Sequence, residues 1–154
     1  MFINSLKKSK RFPKDETHLK LCSYYNKKVI IPNWVTHLEL DDKYNQKIII
    51  PNSVTHLKFG HNFNKKVIIP NSVTHLEFGL YFNREIIIPN NVIYLRFGWF
   101  FNRHIIIPNR VIHLIFRKNF NKKIMIPNCV THLTYGFCFN QKVKIPKHTK
   151  IIKY

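Results

Sequence analysis

The sequence contains no alanine, only 4 glutamates and only 4 glycines. Alanine and glutamate are among the residues that favour helices most, so their scarcity argues against a helical bundle. Isoleucine, valine and threonine together supply 38 of the 154 residues, and these β-branched residues favour strands. The composition therefore predicts an all-β protein with almost no helix.

Long apolar runs are also missing. The triplet at 48–50 is typical of the longest ones, which excludes a segment that spans a bilayer. Residues 1–14 carry charges where a secretory signal needs an apolar stretch, so we do not expect secretion. The cysteines, Cys22, Cys129 and Cys138, are odd in number and lack the spacing of metal ligands. We expect reduced thiols in a cytoplasmic protein, with no metal and no cofactor.

Acidic residues are scarce as well. The chain has 7 Asp and Glu against 26 Lys and Arg, for a formal net charge of +19, and residues 86–154 contain 12 basic residues and no acid. With 45% hydrophobic residues the chain is too apolar to be disordered. A field of this sign attracts nucleic acids, anionic lipids and acidic proteins, mostly without specificity.

What the sequence does have is a strict period. Prolines stand at positions 13, 32, 51, 70, 89, 108, 127 and 146, always 19 residues apart. The period divides a single domain into a degenerate N-terminal turn (1–12, with Phe2, Leu6 and Phe12 in register), seven full repeats (13–145) and a partial repeat (146–154). A fixed period near 20 residues predicts a solenoid, in which each unit buries its apolar residues against its neighbours.

Each part of the repeat P-N-x-V-T-H-L-x-F-G-x-x-F-N-x-x-I-I-I has a physical interpretation. The Ile triplet predicts a short strand that the proline ends, and Pro-Asn predicts a turn. The alternating V-T-H-L-x-F segment predicts a second strand, after which glycines such as Gly60 turn the chain. With one strand spacing of about 4.8 Å per coil, seven coils would form a right-handed parallel β-solenoid, a rod of roughly 35 Å.

The repeat resembles two known patterns. Residues 54–59 (V-T-H-L-K-F) follow the leucine-rich-repeat pattern L-x-x-L-x-L, and residues 63–79 (F-N-K-K-V-I-I-P-N-S-V-T-H-L-E-F-G) resemble a near-consensus unit of the FNIP repeat family. The resemblance covers residues 13–154 and implies a leucine-rich-repeat-like solenoid. The family occurs in social amoebae and in giant DNA viruses of amoebae, which for a viral member implies the host cytoplasm. Some members carry an N-terminal F-box, and we expect none in the dozen residues before the first repeat.

Alternation places two columns of side chains on the outer face of the V-T-H-L-x-F strand. One is nearly uniform, the other varied, and a varied exposed column on a repeat scaffold usually carries specificity. We predict that this face binds a protein partner through His18, Lys20, His37, Glu39, His56, Lys58, His75, Glu77, Tyr94, Arg96, His113, Ile115 and His132. A flat row of imidazoles does not arrange a tetrahedral shell, so we favour stacking over metal binding.

An asparagine ends the aromatic-Asn step of every full repeat, and we expect these amides to form a structural ladder. Ten basic residues follow that column and predict a positive stripe that offers an alternative function, polyanion or nucleic-acid binding: Lys27, Lys28, Lys47, Lys65, Lys66, Arg84, Arg103, Lys122, Lys123 and Lys142. The recurrent aromatics Phe63, Phe82 and Phe101 occupy a core-type position, from which they would not stack on bases.

A third alternative is self-association. The middle residues of the Ile triplets should point outward and form an apolar stripe, which usually marks an interface with a partner or a second copy: Ile30, Ile49, Ile68, Ile87, Ile106 and Met125, followed by Lys144. The sequence stops at Tyr154 within a strand-type pattern, and an uncapped coil would leave an open edge for a homodimer.

No constellation of acids, nucleophiles or phosphate-binding glycines appears in the sequence. The sequence therefore predicts a non-enzymatic scaffold for protein–protein interaction. Polyanion binding through the basic stripe and self-association are the alternatives.

Overall fold

The structure, a computed structural model, describes residues 2–3, 16–21 and 26–154. In this part of the chain, nine strands form one sheet in chain order, and every neighbouring pair is parallel. The strands are β1 (Phe2–Ile3), β2 (His18–Leu21), β3 (His37–Glu39), β4 (His56–Lys58), β5 (His75–Glu77), β6 (Tyr94–Arg96), β7 (His113–Ile115), β8 (His132–Tyr135) and β9 (Lys150–Lys153). The predicted leucine-rich-repeat-like parallel β-solenoid is confirmed.

The register of the sheet follows the proline period. From β2 to β8 each residue lies opposite the one 19 positions later, as His37 lies opposite His56. At the two ends the offset is 18: Phe2 lies opposite Lys20, and His132 opposite Lys150. Ile3 is therefore the partner of Leu21. The other residues of the predicted N-terminal turn, Leu6 and Phe12, lie outside the described residues.

Two tight turns return the chain in each coil. The Val54 N–H donates to the Pro51 carbonyl at 3.1 Å, which closes the predicted Pro-Asn turn. The Phe82 N–H donates to the Gly79 carbonyl at 3.4 Å and closes the second turn. A Cβ atom at Gly79 would lie 2.0 Å from the carbonyl oxygen of Gly60 in the preceding coil. Glycine at this position therefore permits the close approach of successive coils.

The coils fan apart from one side of the solenoid to the other. On the outer face of the sheet, the rings of His37 and His56 stack with centroids 4.1 Å apart. Inside the core, equivalent rings lie 5.2 Å apart in the pair Phe59–Phe78 and 6.3 Å apart between Phe63 and its equivalent in the next coil, Phe82. The coils therefore follow an arc with the sheet on its concave side.

The prediction of a short strand at the Ile triplet is wrong for residues 48–50 and their equivalents in the described coils, where no strand is assigned. In the described coils, no backbone hydrogen bond joins one triplet to the next, so the ladder that a strand needs is not formed there. The alternation itself is correct: Ile48 and Ile50 are buried, whereas Ile49 is 87% exposed.

The core consists of apolar columns that run through successive coils. One coil contributes Val73, Leu76, Phe78, Phe82 and Ile88, all at most 6% exposed. Among the described residues no charged or polar side chain is buried.

The asparagine ladder holds the coil edges together. The side-chain oxygen of Asn45 accepts a hydrogen bond from the backbone N–H of Asn64 at 3.0 Å, and the same bond recurs at 2.9–3.2 Å from Asn26 to Asn140. Each amide thus satisfies the backbone of the following coil, as the repeated Phe-Asn step predicts.

Candidate functional site

A groove of about 460 Å³ lies on the concave face, over strands β2 to β6. Both columns predicted to face outward line this groove. Its polar and aromatic lining residues are His18, Lys20, His37, Glu39, His56, Lys58, His75, Glu77 and Tyr94. Arg96, His113, Ile115 and His132 continue the same columns along the sheet beyond the groove.

The histidines of the groove form a continuous stack. Successive ring centroids from His18 to His75 are 4.0, 4.1 and 4.2 Å apart, with planes within 15° of parallel. A threonine precedes each ring, and the Oγ1 of Thr55 lies 2.9 Å from Nδ1 of His56. These contacts hold each imidazole in one orientation, with its Nε2 atom left for other contacts. Tyr94 interrupts the stack, because its ring centroid lies 6.0 Å from that of His75.

Stacking also changes the acid–base behaviour of the imidazoles. Partial burial lowers the pKa of His37 and His56 below the ordinary value of 6.5, and neighbouring histidines lower it further because protonated rings repel each other. The pKa of His113 is lowered by the same two causes, with His132 as its nearest neighbour. The neutral form of His37, His56 and His113 is therefore favoured.

The varied column is internally paired. Glu39 lies between Lys20 and Lys58, with Nζ–Oε1 distances of 2.9 and 3.0 Å, and a nitrogen of Arg96 lies 2.9 Å from a carboxylate oxygen of Glu77. Burial alone would raise the pKa of Glu39, but the hydrogen bonds from both lysines outweigh it and lower the pKa. The alternation of basic and acidic residues along this column thus has a structural cause, which is pairing between neighbouring strands. The sequence interpretation of the column did not include this pairing.

The basic stripe lies on a different part of the surface. Lys65, Lys66, Arg84 and Arg103 are exposed, and none of the ten residues of the stripe lines the groove. The predicted stripe and the predicted protein-binding face are therefore separate surfaces.

Among the described residues, no group of three or more His, Cys, Asp or Glu is arranged to hold a metal ion. No helix in this part of the chain has the length and apolar character needed to cross a membrane. Cys129 and Cys138 carry free thiols, and Cys22 lies outside the described residues.

The sequence model of the FNIP repeat matches the chain in five overlapping segments: 25–62, 44–81, 63–100, 82–116 and 101–138. These segments cover most of the sequence. The chain belongs to the FNIP repeat family.

A solved structure with a similar fold is that of CroV588, described as a novel circular leucine-rich-repeat protein. The TM-score is 0.81 and the sequence identity is 38%, over 92% of this chain and 24% of that one. The chain thus spans about a quarter of the length of CroV588. No curated protein sequence matches it.

The FNIP solenoid also exposes aromatic side chains that the sequence interpretation missed. Phe63, Phe82 and Phe101 are buried as predicted, but two further positions separate each of them from the preceding glycine, and these positions recur in the neighbouring coils. Four of the residues at these positions are exposed aromatics: Tyr81 at 47%, Trp99 at 47%, Phe100 at 43% and Phe137 at 63%. The signal was present in the sequence as aromatic residues at positions that vary between repeats.

A column of aliphatic side chains runs along the outside of the FNIP coils, as the alternation predicted. Ile30, Ile49, Ile68, Ile87, Ile106 and Met125 are 85–89% exposed. We call these six residues the outer apolar column. Its role in contacts with a partner or a second copy stays a prediction.

Proposed function

We propose that this FNIP-repeat chain is a non-enzymatic scaffold whose concave groove binds a protein partner. The observation that carries the proposal is the groove itself, which brings both predicted columns together on the inner side of the arc. Solenoids of this kind use extended concave surfaces for binding. The curvature is similar in kind to that of the circular protein CroV588, which supports a surface that encloses its partner on one side.

The groove is ordered before a partner arrives. The histidine rings are fixed by stacking at 4.0–4.2 Å and by their threonine neighbours. The acidic side chains are fixed by ion pairs, as between Glu77 and Arg96. A surface whose side chains are already immobilised loses less entropy on binding, which favours affinity.

The same contacts argue against a catalytic role for the carboxylates of the groove. A carboxylate that acts as a general acid or base must be available to the substrate, yet Glu39 and Glu77 are held by cations within 3.0 Å. The pKa of Glu39 is also lowered, so this carboxylate is a weak base. We place the protein in the cytoplasm, which is consistent with the free thiols of Cys129 and Cys138.

The test is affinity capture from cytosol at moderate salt, with and without nuclease, using the wild type and two double variants. The first variant, Glu77→Ala with Tyr94→Ala, changes the groove, and the second, Ile49→Ser with Ile68→Ser, changes a distant exposed surface. Circular dichroism confirms that both variants are folded. We expect proteins that survive nuclease, bind the wild type and the second variant, and are lost with the first. If everything captured disappears with nuclease, or the groove variant retains all of it, the proposal is wrong.

A further inference from the structure

The exposed aromatic residues lie along one edge of the solenoid, where the chain turns after each strand. The rings of Tyr81 and Phe100 stack across adjacent coils with centroids 5.2 Å apart and planes within 10° of parallel. Both rings are more than 40% exposed, so they add little to the core. The two rings stack on each other, so a further planar group can stack on the outer face of either ring.

Each ring of this pair is followed three residues later by an arginine. Tyr81 precedes Arg84 and Phe100 precedes Arg103, so each pair of Cα atoms lies within about 11 Å along the chain. The Nε of Arg84 donates to the backbone carbonyl of Asn64 at 3.1 Å, and Arg103 makes the same bond to Asn83. The asparagine ladder therefore orients both exposed guanidinium groups, and an oriented guanidinium is a strong donor to phosphate.

A third cation joins the edge in the next coil. The ammonium of Lys118 lies 6.0 Å from the ring centroid of Trp99 and 5.6 Å from that of Phe137. Cation–π attraction holds this charge beside two further exposed rings. Positive charges and exposed rings thus lie side by side over consecutive coils.

Little negative charge competes with a ligand at this place. Glu85, next to Arg84, is the last acidic residue of the chain, and residues 86–154 contain none. The opposite end of the edge differs, because there His61 is paired with Asp42 at 3.1 Å. The two ends of the edge therefore differ: in the described part of the chain, the exposed rings and the cations without an acidic partner lie toward the C-terminal coils.

We propose that this edge binds single-stranded nucleic acid, with bases stacked on Tyr81, Trp99 and Phe100 and phosphates held by Arg84, Arg103 and Lys118. Stacking aromatics beside a positively charged track are the two elements by which proteins bind single strands without reading their sequence. Polyanions without bases, and duplex DNA, can contact only the positive charges of the edge. The rings therefore distinguish the proposal from general attraction to a basic protein.

The test measures the anisotropy of fluorescein-labelled oligo(dT) and oligo(U) over a salt series, with duplex DNA and heparin as competitors. Tyr81→Ser with Phe100→Ser should weaken binding about tenfold or more at fixed salt and leave the salt slope unchanged. Arg84→Gln with Arg103→Gln should weaken binding and reduce the salt slope by about 1.4, since each phosphate contact contributes about 0.7 on single strands. Two double variants are matched controls that should have smaller effects on binding: Ile68→Ser with Ile87→Ser, and Lys147→Gln with Lys153→Gln.

A direct readout comes from tryptophan. The chain contains two, Trp34 and Trp99, so Trp34→Phe leaves Trp99 as the single reporter. Oligo(dT) should quench its fluorescence by stacking, whereas heparin should not.

The proposal is overturned if the ring variant binds oligo(dT) like the wild type, if duplex and heparin compete as well as single strands, or if no binding occurs at 50 mM salt. Comparison of oligo(dU) with oligo(U) identifies the preferred sugar. These outcomes are independent of the groove, whose variants leave this edge unchanged.

Discussion

The side-chain oxygen of Asn64 accepts a hydrogen bond from the backbone N–H of Asn83, one coil further along the chain, at 3.1 Å. Asn64→Ala leaves this part-buried N–H without its partner, which should cost about 1–2 kcal/mol of unfolding free energy. Asn64→Asp keeps the accepting oxygen and serves as the matched control. Urea unfolding followed by circular dichroism measures both variants. Equal midpoints for the two would show that the ladder does not stabilise the coils.

Two adjacent isoleucines test which side of the triplet faces the core. Ile88 is 5% exposed and Ile87 is 89% exposed. We expect Ile88→Ala to lower the unfolding free energy by about 2–5 kcal/mol because it leaves a cavity. Ile87→Ala should change it by no more than about 0.5 kcal/mol. Thermal and urea unfolding of the two variants give the comparison, and similar losses for both would contradict the described alternation.

The histidine stack predicts a loss of stability in mild acid. The pKa of His37, His56 and His113 is lowered in the folded chain, so the unfolded chain binds more protons below about pH 6.5. Stability is therefore fully present above that pH and falls as the pH decreases through the lowered folded values. Glu39, whose pKa is also lowered, adds a further loss below its ordinary value of 4.5.

Unfolding midpoints between pH 8 and pH 5 measure this effect. His56→Asn removes from the middle of the stack one of the three imidazoles whose pKa is lowered. The variant should show a shallower fall of stability with acid than the wild type. His104→Asn, an exposed histidine outside the stack, is the control and should leave the fall unchanged. A wild-type stability that stays constant from pH 7 to pH 5 would contradict the predicted repulsion.

The outer apolar column predicts self-association through exposed aliphatic surface. Sedimentation velocity over a hundredfold range of protein concentration should show a mass that increases with concentration. Ile49→Ser, Ile68→Ser and Ile87→Ser together should abolish the increase without loss of thermal stability, because these side chains are 87–89% exposed. A monomer at every concentration would rule out this contact between copies.

The repeat made much of the fold predictable, because one physical reason applies at every coil. Pro51 ends a segment, Asn64 bonds the next coil, and the alternation of Ile49 and Ile50 follows from an extended chain. The arc was not predictable from the period, since it depends on how large rings such as Phe63 and Phe82 spread the coils on one side. The strand expected at the Ile triplets is also absent from the described coils, because no backbone hydrogen bonds join neighbouring triplets.

The candidate surfaces were predictable only in part. The placement of His56 and Lys58 on one face follows from alternation, and the groove contains both. The ion pair between Glu39 and Lys58 depends on which residues stand opposite each other, a consequence of register rather than of composition. Trp99 and Phe100 were missed because analysis by repeats gives weight to shared positions, whereas these residues stand where the coils differ.

Site-specific photo-crosslinking tests the central proposal, a partner in the concave groove, most directly. A photoreactive phenylalanine analogue replaces Tyr94 in the groove or, as the control, Ile68 on the outer apolar column, and each protein is irradiated in nuclease-treated cytosol. The account predicts a discrete protein crosslinked from position 94 and not from position 68, and its loss when Glu77→Ala is added. The same products from both positions, or none from position 94, would contradict it.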